Sequence, residues 1–225
     1  YNPDLIKTPP ASYDELRAFV AKNPKSFGYN GLKGGMSGVA FVVGWMYAYG
    51  GNPETIQQGP YDAKASAGWD KAFSELKSFN QQVSFTPGNA GTLDMLNRGE
   101  IAMGPVWVDM FQTWKAEGRL APNLKLKILS PGMPGQPYYY AIPVKAKNID
   151  LAKKFIALAT SPEVQAEGIV KRFNWYPGID ANVVKPALDA KTWNQLFVDV
   201  TPEDLAKNAK PFPLAPFFKD MREQY

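Results

Sequence analysis

A chain of 225 residues, 45% apolar and 20% charged, is long enough to bury one large core or two small ones and reads as globular. It contains no cysteine and no histidine, which excludes disulfides, thiolate or imidazole metal sites, a Cys nucleophile and Ser-His-Asp chemistry. The net charge is +4, but the lysines are dispersed among acids rather than clustered, so nucleic acid is not an expected partner. No stretch approaches the ~18 uninterrupted apolar residues of a membrane span. The longest apolar run, Val39 to Tyr49, is interrupted by Gly44. No secretory leader is visible at Tyr1, and the chain is expected to be a processed or truncated product.

The opening YNPDLIKTPP is proline-rich and should be extended. Ser12 and Glu15 then form an S-x-x-E capping box, in which each side chain satisfies an orphan backbone N–H, and Leu16, Phe19 and Val20 follow at helical spacing. Gly34 to Gly38 reads as a loop leading into an apolar helix from Val39 to Tyr49, stopped by Gly50-Gly51. A third helix is predicted over Ala63 to Phe79, with Trp69, Ala72, Phe73 and Leu76 on one face, and a short one over Thr92 to Asn97.

Ile101 to Met103 reads as a buried strand, broken by Gly104-Pro105 before a helix from Trp107 to Glu117. Leu124 to Leu129 alternates apolar residues with lysine, as a half-buried strand does. After the loop SPGMPGQP, another strand is predicted over Tyr138 to Val144. Asp150 to Ala159 is helical, and Ser161-Pro162-Glu163 restarts a helix with a cap, a first-turn proline and an acid at the positive end of the dipole. Short helices separated by prolines fill the tail from Ala181. Strands alternating with helices give an α/β fold. Trp45, Trp69 and Trp193 fall within helical patterns and are expected in the core.

Three segments carry a resemblance: YNPDLIKTPPASYDELRAF, LNRGEIAMGPVW and YYYAIPVKAKNIDLAKKFIALATSPEVQA. Their order and spacing resemble the family-1 extracellular solute-binding proteins, which include maltose-binding protein. The first looks like a hinge crossing and the "P-x-T-W-D-E-L" helix start, with Tyr13 where Trp is common. The second matches the family's buried strand and Gly-Pro-Trp turn. The third is similar to its second hinge crossing, "A-I-P-K" strand and "S-P-E-x-Q" helix. The resemblance implies a periplasmic-binding-protein type II fold, mainly the second lobe plus part of the first. Residues 1–140 and 182–225 would form the second lobe and 141–181 a segment of the first, most of which is expected to be absent and possibly supplied as a separate chain. It further implies capture of a small solute for the permease subunits of an ABC importer, without catalysis, cofactor or metal. The expected location is the periplasm, or the outer surface of a Gram-positive cell through a membrane tether.

Sugars present apolar C–H faces and hydroxyl rims, which aromatic rings and a few polar groups match. The resemblance places Trp107 at the cleft, with Asp109 nearby as either a hydroxyl acceptor or a dipole-stabilising acid. Tyr138 and Tyr140 at the second hinge, and Trp175 and Tyr176 in FNWYPGID, are the other aromatic candidates. Tyr139 points to the opposite side of that strand pattern from its neighbours. Ser37 and Gly38 precede a helix N-terminus whose free N–H groups could bind an acceptor, or form an ordinary capped loop. A carbohydrate is the first expectation; a cationic solute such as a polyamine, thiamine or an opine-like compound is the alternative, since aromatic boxes also hold cations. Several converging acids would favour the cation, one isolated Asp the sugar. A carboxylate-based glycosidase would need a paired set of acids that nothing in the sequence singles out, and a purely structural interaction module would show a featureless cleft.

Overall fold

A computed structural model describes residues 1–135 and 138–225. The expected strand over Tyr138 to Val144 therefore borders two residues, Gln136 and Pro137, that lie outside the described ones.

Helix α1 (Tyr13–Lys22) begins as its sequence dictates: Ser12 Oγ accepts the Glu15 N–H at 3.2 Å. The reciprocal arm lands one residue earlier than the box predicts, because Glu15 Oε2 takes the N–H of Ala11 at 2.8 Å. Strand β1 (Gly28–Tyr29) follows, and then α2 (Met36–Tyr49), three residues longer at its start than predicted. Residues Ser37 to Tyr47 of α2 are buried without exception. A helix apolar on every side has no solvent face, so α2 is the central rod of the molecule.

The third predicted helix is split. Asp62 caps a 3₁₀ turn at Ala63–Ser66, Gly68 interrupts, and α4 (Trp69–Asn80) follows a one-turn α3 (Glu54–Gln57). Trp69, Ala72, Leu76 and Phe79 of α4 face inward. The indole of Trp45 on α2 donates to the Ala72 carbonyl at 3.0 Å, so the largest buried side chain also satisfies its one polar atom. Phe27, Tyr29, Phe41 and Phe79 complete an aromatic cluster with ring centroids 4.8–6.1 Å apart. Each such side chain contributes roughly 1.5–3 kcal/mol through the area it removes from water.

Strand β2 (Ser84–Phe85) pairs in parallel with β1, Gly28 opposite Ser84. On the other side of β1, Phe27 and Met103 form a parallel bridge, with Gly28 N–H donating to the Met103 carbonyl at 3.0 Å. The predicted strand at Ile101–Met103 is thus a single-bridge extension of this parallel sheet. Helices α5 (Gly88–Asn97) and α6 (Val108–Ala116) flank that segment. Leu124 to Leu129 keeps its burial alternation but forms no ladder: Lys125 exchanges backbone bonds with Tyr1 at 2.7 and 3.0 Å, and the Leu126 N–H goes to the Asp199 carboxylate at 3.2 Å. A second parallel pair, β3 (Met133–Pro134) with β4 (Ala209–Lys210), arises inside the stretch expected to be loop.

The predicted strand over Tyr138–Val144 is a correction. No strand forms there, and Tyr138, Tyr139 and Val144 are 86%, 85% and 97% exposed. A strand exists only through lateral partners, and none of the described residues pairs with it. Helix α7 (Ile149–Ala159) then forms as its periodicity predicts, but with no buried residue: Leu151 and Phe155 are 67% and 59% exposed. Ser161 caps α8 (Pro162–Val164), which widens into a π-helix at Gln165–Lys171. Helices α9 (Ala181–Val184), α10 (Ala190–Leu196), α11 (Pro202–Asn208) and α12 (Ala215–Gln224) fill the tail. Val170 and Tyr176 pack with Trp193, Leu196 and Phe197 in one cluster that crosses the expected boundary at 181–182, whereas Phe217 and Met221 of α12 join the main core. Trp45 and Trp69 lie in the core as expected; Trp193 packs at the edge of the smaller cluster.

Candidate functional site

Two helix starts and one loop build the site. The chain leaves the Met103 bridge at Gly104-Pro105, and Trp107, with extended backbone, becomes the residue before α6. Gly104 is required at that exit: a Cβ there would meet the Gly28 carbonyl at 2.6 Å and the Thr92 side chain at 2.7 Å. Asp109 follows in the first turn of α6, where the helix dipole favours a carboxylate, and accepts the Met110 N–H at 2.7 Å. Trp175 arrives from the loop after the π-helix and donates its indole N–H to Thr113 Oγ1 at 3.4 Å, one turn along α6.

These side chains surround one open hollow of about 310 Å³ lined by Asn89, Trp107, Asp109, Met110, Thr113, Trp114 and Trp175. The structure therefore brings together three of the sequence candidates, Trp107, Asp109 and Trp175, from segments more than sixty residues apart. Asp109 is the only acid on this wall, and no ion-pair partner reaches it among the described residues.

The other candidates lie elsewhere. Ser37 is buried, and its N–H and hydroxyl both donate to Asn89 Oδ1, at 3.2 and 2.8 Å. Gly38 is a close-approach glycine: a Cβ there would collide with the Gly31 carbonyl. Ser37 thus spends its N–H and hydroxyl on Asn89 and borders a second hollow, while Gly38 lines neither. Tyr176 turns inward, stacks on Phe197 at 5.2 Å, and lines that second, mostly apolar hollow of about 200 Å³ behind Trp107. Burial, then Asp199 and Asp204, hold the Tyr176 hydroxyl well above its ordinary pKa. Tyr138 and Tyr140 line neither hollow; both are exposed, and Tyr140 sits edge-on to Phe155 at 6.0 Å.

Asn89 is the residue that sequence reasoning missed. Its Oδ1 accepts from Asn30 Nδ2 at 3.0 Å as well as from Ser37, and a backbone N–H among the donors fixes which end of the amide is oxygen. Its Nδ2 takes no partner among the described residues, and the half-buried residue lines the hollow. The local signal was TPGNAG, a turn at which Asn begins a helix, with nothing to mark its side chain as functional. Among the described residues no group of three or more His, Cys, Asp or Glu could hold a metal ion, and no helix is long and apolar enough to cross a membrane.

The arrangement of helices on parallel strands is shared with solved proteins. One, named as an extracellular solute-binding protein, from Bordetella parapertussis, superposes with a TM-score of 0.73 at 16% identity, covering 100% of this chain and 62% of that one. An ABC transporter protein from Clostridium perfringens gives 0.67 at 20% identity, covering 99% and 62%. The chain therefore spans under two thirds of the length of these neighbours and has their α/β solute-binding-protein fold over that span. No curated protein matches the sequence significantly. A sequence profile described as bacterial extracellular solute-binding protein matches residues 1–181, which is most of the chain. The protein belongs to the bacterial extracellular solute-binding family.

Proposed function

We propose that this chain is the solute-capturing component of an ABC import system, that it binds a carbohydrate, and that it hands the solute unchanged to permease subunits in the membrane. The carrying observation is the convergence of Trp107 and Trp175 with Asp109 and Asn89 on one open hollow. Indole faces cover the C–H faces of a pyranose, a carboxylate accepts its hydroxyl hydrogens, and an amide N–H donates to its oxygens. A volume of about 310 Å³ falls at the lower end of the range for small-molecule sites. A cationic solute is the competing occupant, and the single acid on the wall weighs against it. In this reading the protein works outside the cytoplasm, in the periplasm or tethered at the cell surface.

The division into lobes belongs to the same proposal: residues 1–140 and 182–225 in one lobe, 141–181 in the other. Trp107 and Trp175 then come from different lobes, and the hollow lies between them. The apolar side chains left open on α7, Leu151 and Phe155 among them, support a further body against that helix.

Titration calorimetry of the two-lobed protein with neutral disaccharides and with spermidine tests this. Trp107→Ala should weaken disaccharide binding by more than about 1 kcal/mol without changing the melting temperature. Mass spectrometry of the disaccharide after prolonged incubation should return it intact. Equal affinity in the variant, or preference for spermidine, would refute the reading.

A further inference from the structure

Asn30, Ser37 and Asn89 form a polar cluster at the start of α2, of which Asn30 and Ser37 are buried. Buried polar groups are costly unless paired, so a cluster of this kind has to hold something in place to be worth its desolvation. What it holds is one oxygen. Asn89 Oδ1 accepts from Asn30 Nδ2, from the Ser37 backbone and from the Ser37 hydroxyl at 2.8–3.2 Å. Ser37 has a single hydroxyl hydrogen, and the shorter contact, 2.8 Å to Asn89 against 3.3 Å to Asn30, takes it. The glycine at the head of α2 permits this approach. A Cβ on Gly35 would meet Asn89 Oδ1 at 2.5 Å, and the φ of +147° at Gly35 already disfavours other residues.

With its oxygen fixed on three donors, the amide cannot flip, and its nitrogen, on a residue that lines the hollow, is left without a partner among the described residues. Asp109, on the same wall, accepts hydrogen bonds and donates none in its ionised form.

We propose that Asn89 is a specificity-determining residue of this hollow: its clamped amide nitrogen reads a hydrogen-bond acceptor on the solute, while Asp109 reads a donor. A hydroxylated neutral solute offers both on one rim. An ammonium group offers donors only and would leave the Asn89 N–H groups facing a positive charge. Asn89 therefore selects against the cationic solutes that the paired tryptophans and Asp109 would otherwise accommodate. The proposal rests on the carbohydrate reading given above.

The test compares full-chain wild type, Asn89→Asp and Asn89→Ala by calorimetry with maltose, cellobiose and spermidine. Asn89→Asp keeps an oxygen for Asn30 and Ser37, so the clamp survives, but replaces the donor with an acceptor. It should weaken disaccharide binding by about tenfold or more, the loss expected for one hydrogen bond to a solute, and strengthen spermidine binding by a similar factor. Asn89→Ala should lose disaccharide affinity without gaining spermidine. If Asn89→Asp melts early, Asn89→Ala decides alone. Disaccharide affinity equal to wild type in Asn89→Ala overturns the assignment of Asn89 and leaves the carbohydrate reading intact. Wild type that binds spermidine and neither disaccharide overturns the carbohydrate reading, and this inference with it.

Discussion

Gln165 Oε1 accepts the backbone N–H of Gly178 at 2.8 Å, while its Nε2 donates to the Ala159 carbonyl at the same distance. One buried amide thus ties the end of α7 to the loop that carries Trp175. The π-helix begins at Gln165.

Replacing Gln165 with Leu keeps much of the volume and removes both bonds. The Ala159 carbonyl and Gly178 N–H would then need water. Urea denaturation should show a loss of about 1–2 kcal/mol. The indole of Trp175, no longer held from behind, should also shift its fluorescence in the folded protein. An unchanged spectrum together with unchanged stability would show that the loop is positioned by other contacts of Trp175: its bonds to Thr113 Oγ1 and the Ile169 carbonyl, and the Phe173 ring 5.2 Å away.

Gly44 lies inside α2, where alanine is ordinarily better than glycine by roughly 0.5–1 kcal/mol. Here the preference should reverse, because the Tyr13 hydroxyl occupies the space that a Cβ on Gly44 would need. That hydroxyl is buried and makes no hydrogen bond among the described residues. Tyr13→Phe should therefore cost little or add stability, whereas Gly44→Ala should destabilise by about 1–3 kcal/mol through overpacking. The double variant should recover part of the loss, since the ring Cζ would still lie 2.8 Å from that Cβ. Additive effects in a thermal-denaturation cycle would rule out the contact as the cause.

Burial pushes the Tyr47 hydroxyl up to about 12, and burial followed by the Asp14 carboxylate does the same for Tyr49. Tyr13, Tyr29 and Tyr176 are raised as well. A phenol whose folded value is raised stays neutral in the fold while its unfolded form ionises, so its contribution is complete below pH 10 and is lost as pH rises toward 12. For Tyr47, whose hydroxyl donates to the Pro211 carbonyl at 2.6 Å, this amounts to roughly 3 kcal/mol. Stability should fall steeply from pH 10 to 12, and the Tyr47→Phe variant should show a shallower slope. Tyrosinate absorbance that develops fully before unfolding would contradict the assignment.

Where a side chain's partner lies close in sequence, the sequence was readable. The α1 cap, the all-apolar α2, the inward face of α4 with Trp69, and α7 all follow from spacing alone. Strands were harder, because pairing is a relation between distant segments. Leu124 to Leu129 alternates in burial as written, yet its partners are Tyr1 and the Asp199 carboxylate. The β3–β4 pair, Met133 with Ala209 and Pro134 with Lys210, joins segments far apart in the chain and was invisible. In the site, Trp107, Asp109 and Trp175 stood out by residue type and position. Asn89 did not, since its meaning comes from Ser37, fifty-two residues earlier, holding its oxygen.

The exposed face of α7 gives the last prediction. Its apolar residues recur at helical spacing, but Leu151, Phe155 and Leu158 are 67%, 59% and 61% exposed, and no residue of the helix is buried. Folded monomers rarely leave a contiguous apolar patch of more than a few hundred Å² uncovered. In this chain, that face should bind an apolar dye such as ANS and promote concentration-dependent association in sedimentation. Leu151→Lys with Phe155→Glu should reduce both. These positions make few contacts, so the pair should leave thermal stability within about 0.5 kcal/mol of the parent. Lys at 151 and Glu at 155 also stand four apart, which offsets part of the lost apolar spacing, although Lys before Glu is the weaker order. A parent chain that binds no dye and stays monomeric at high concentration would show that this face is satisfied by water, and the proposal of a further body against α7 would lose its physical ground.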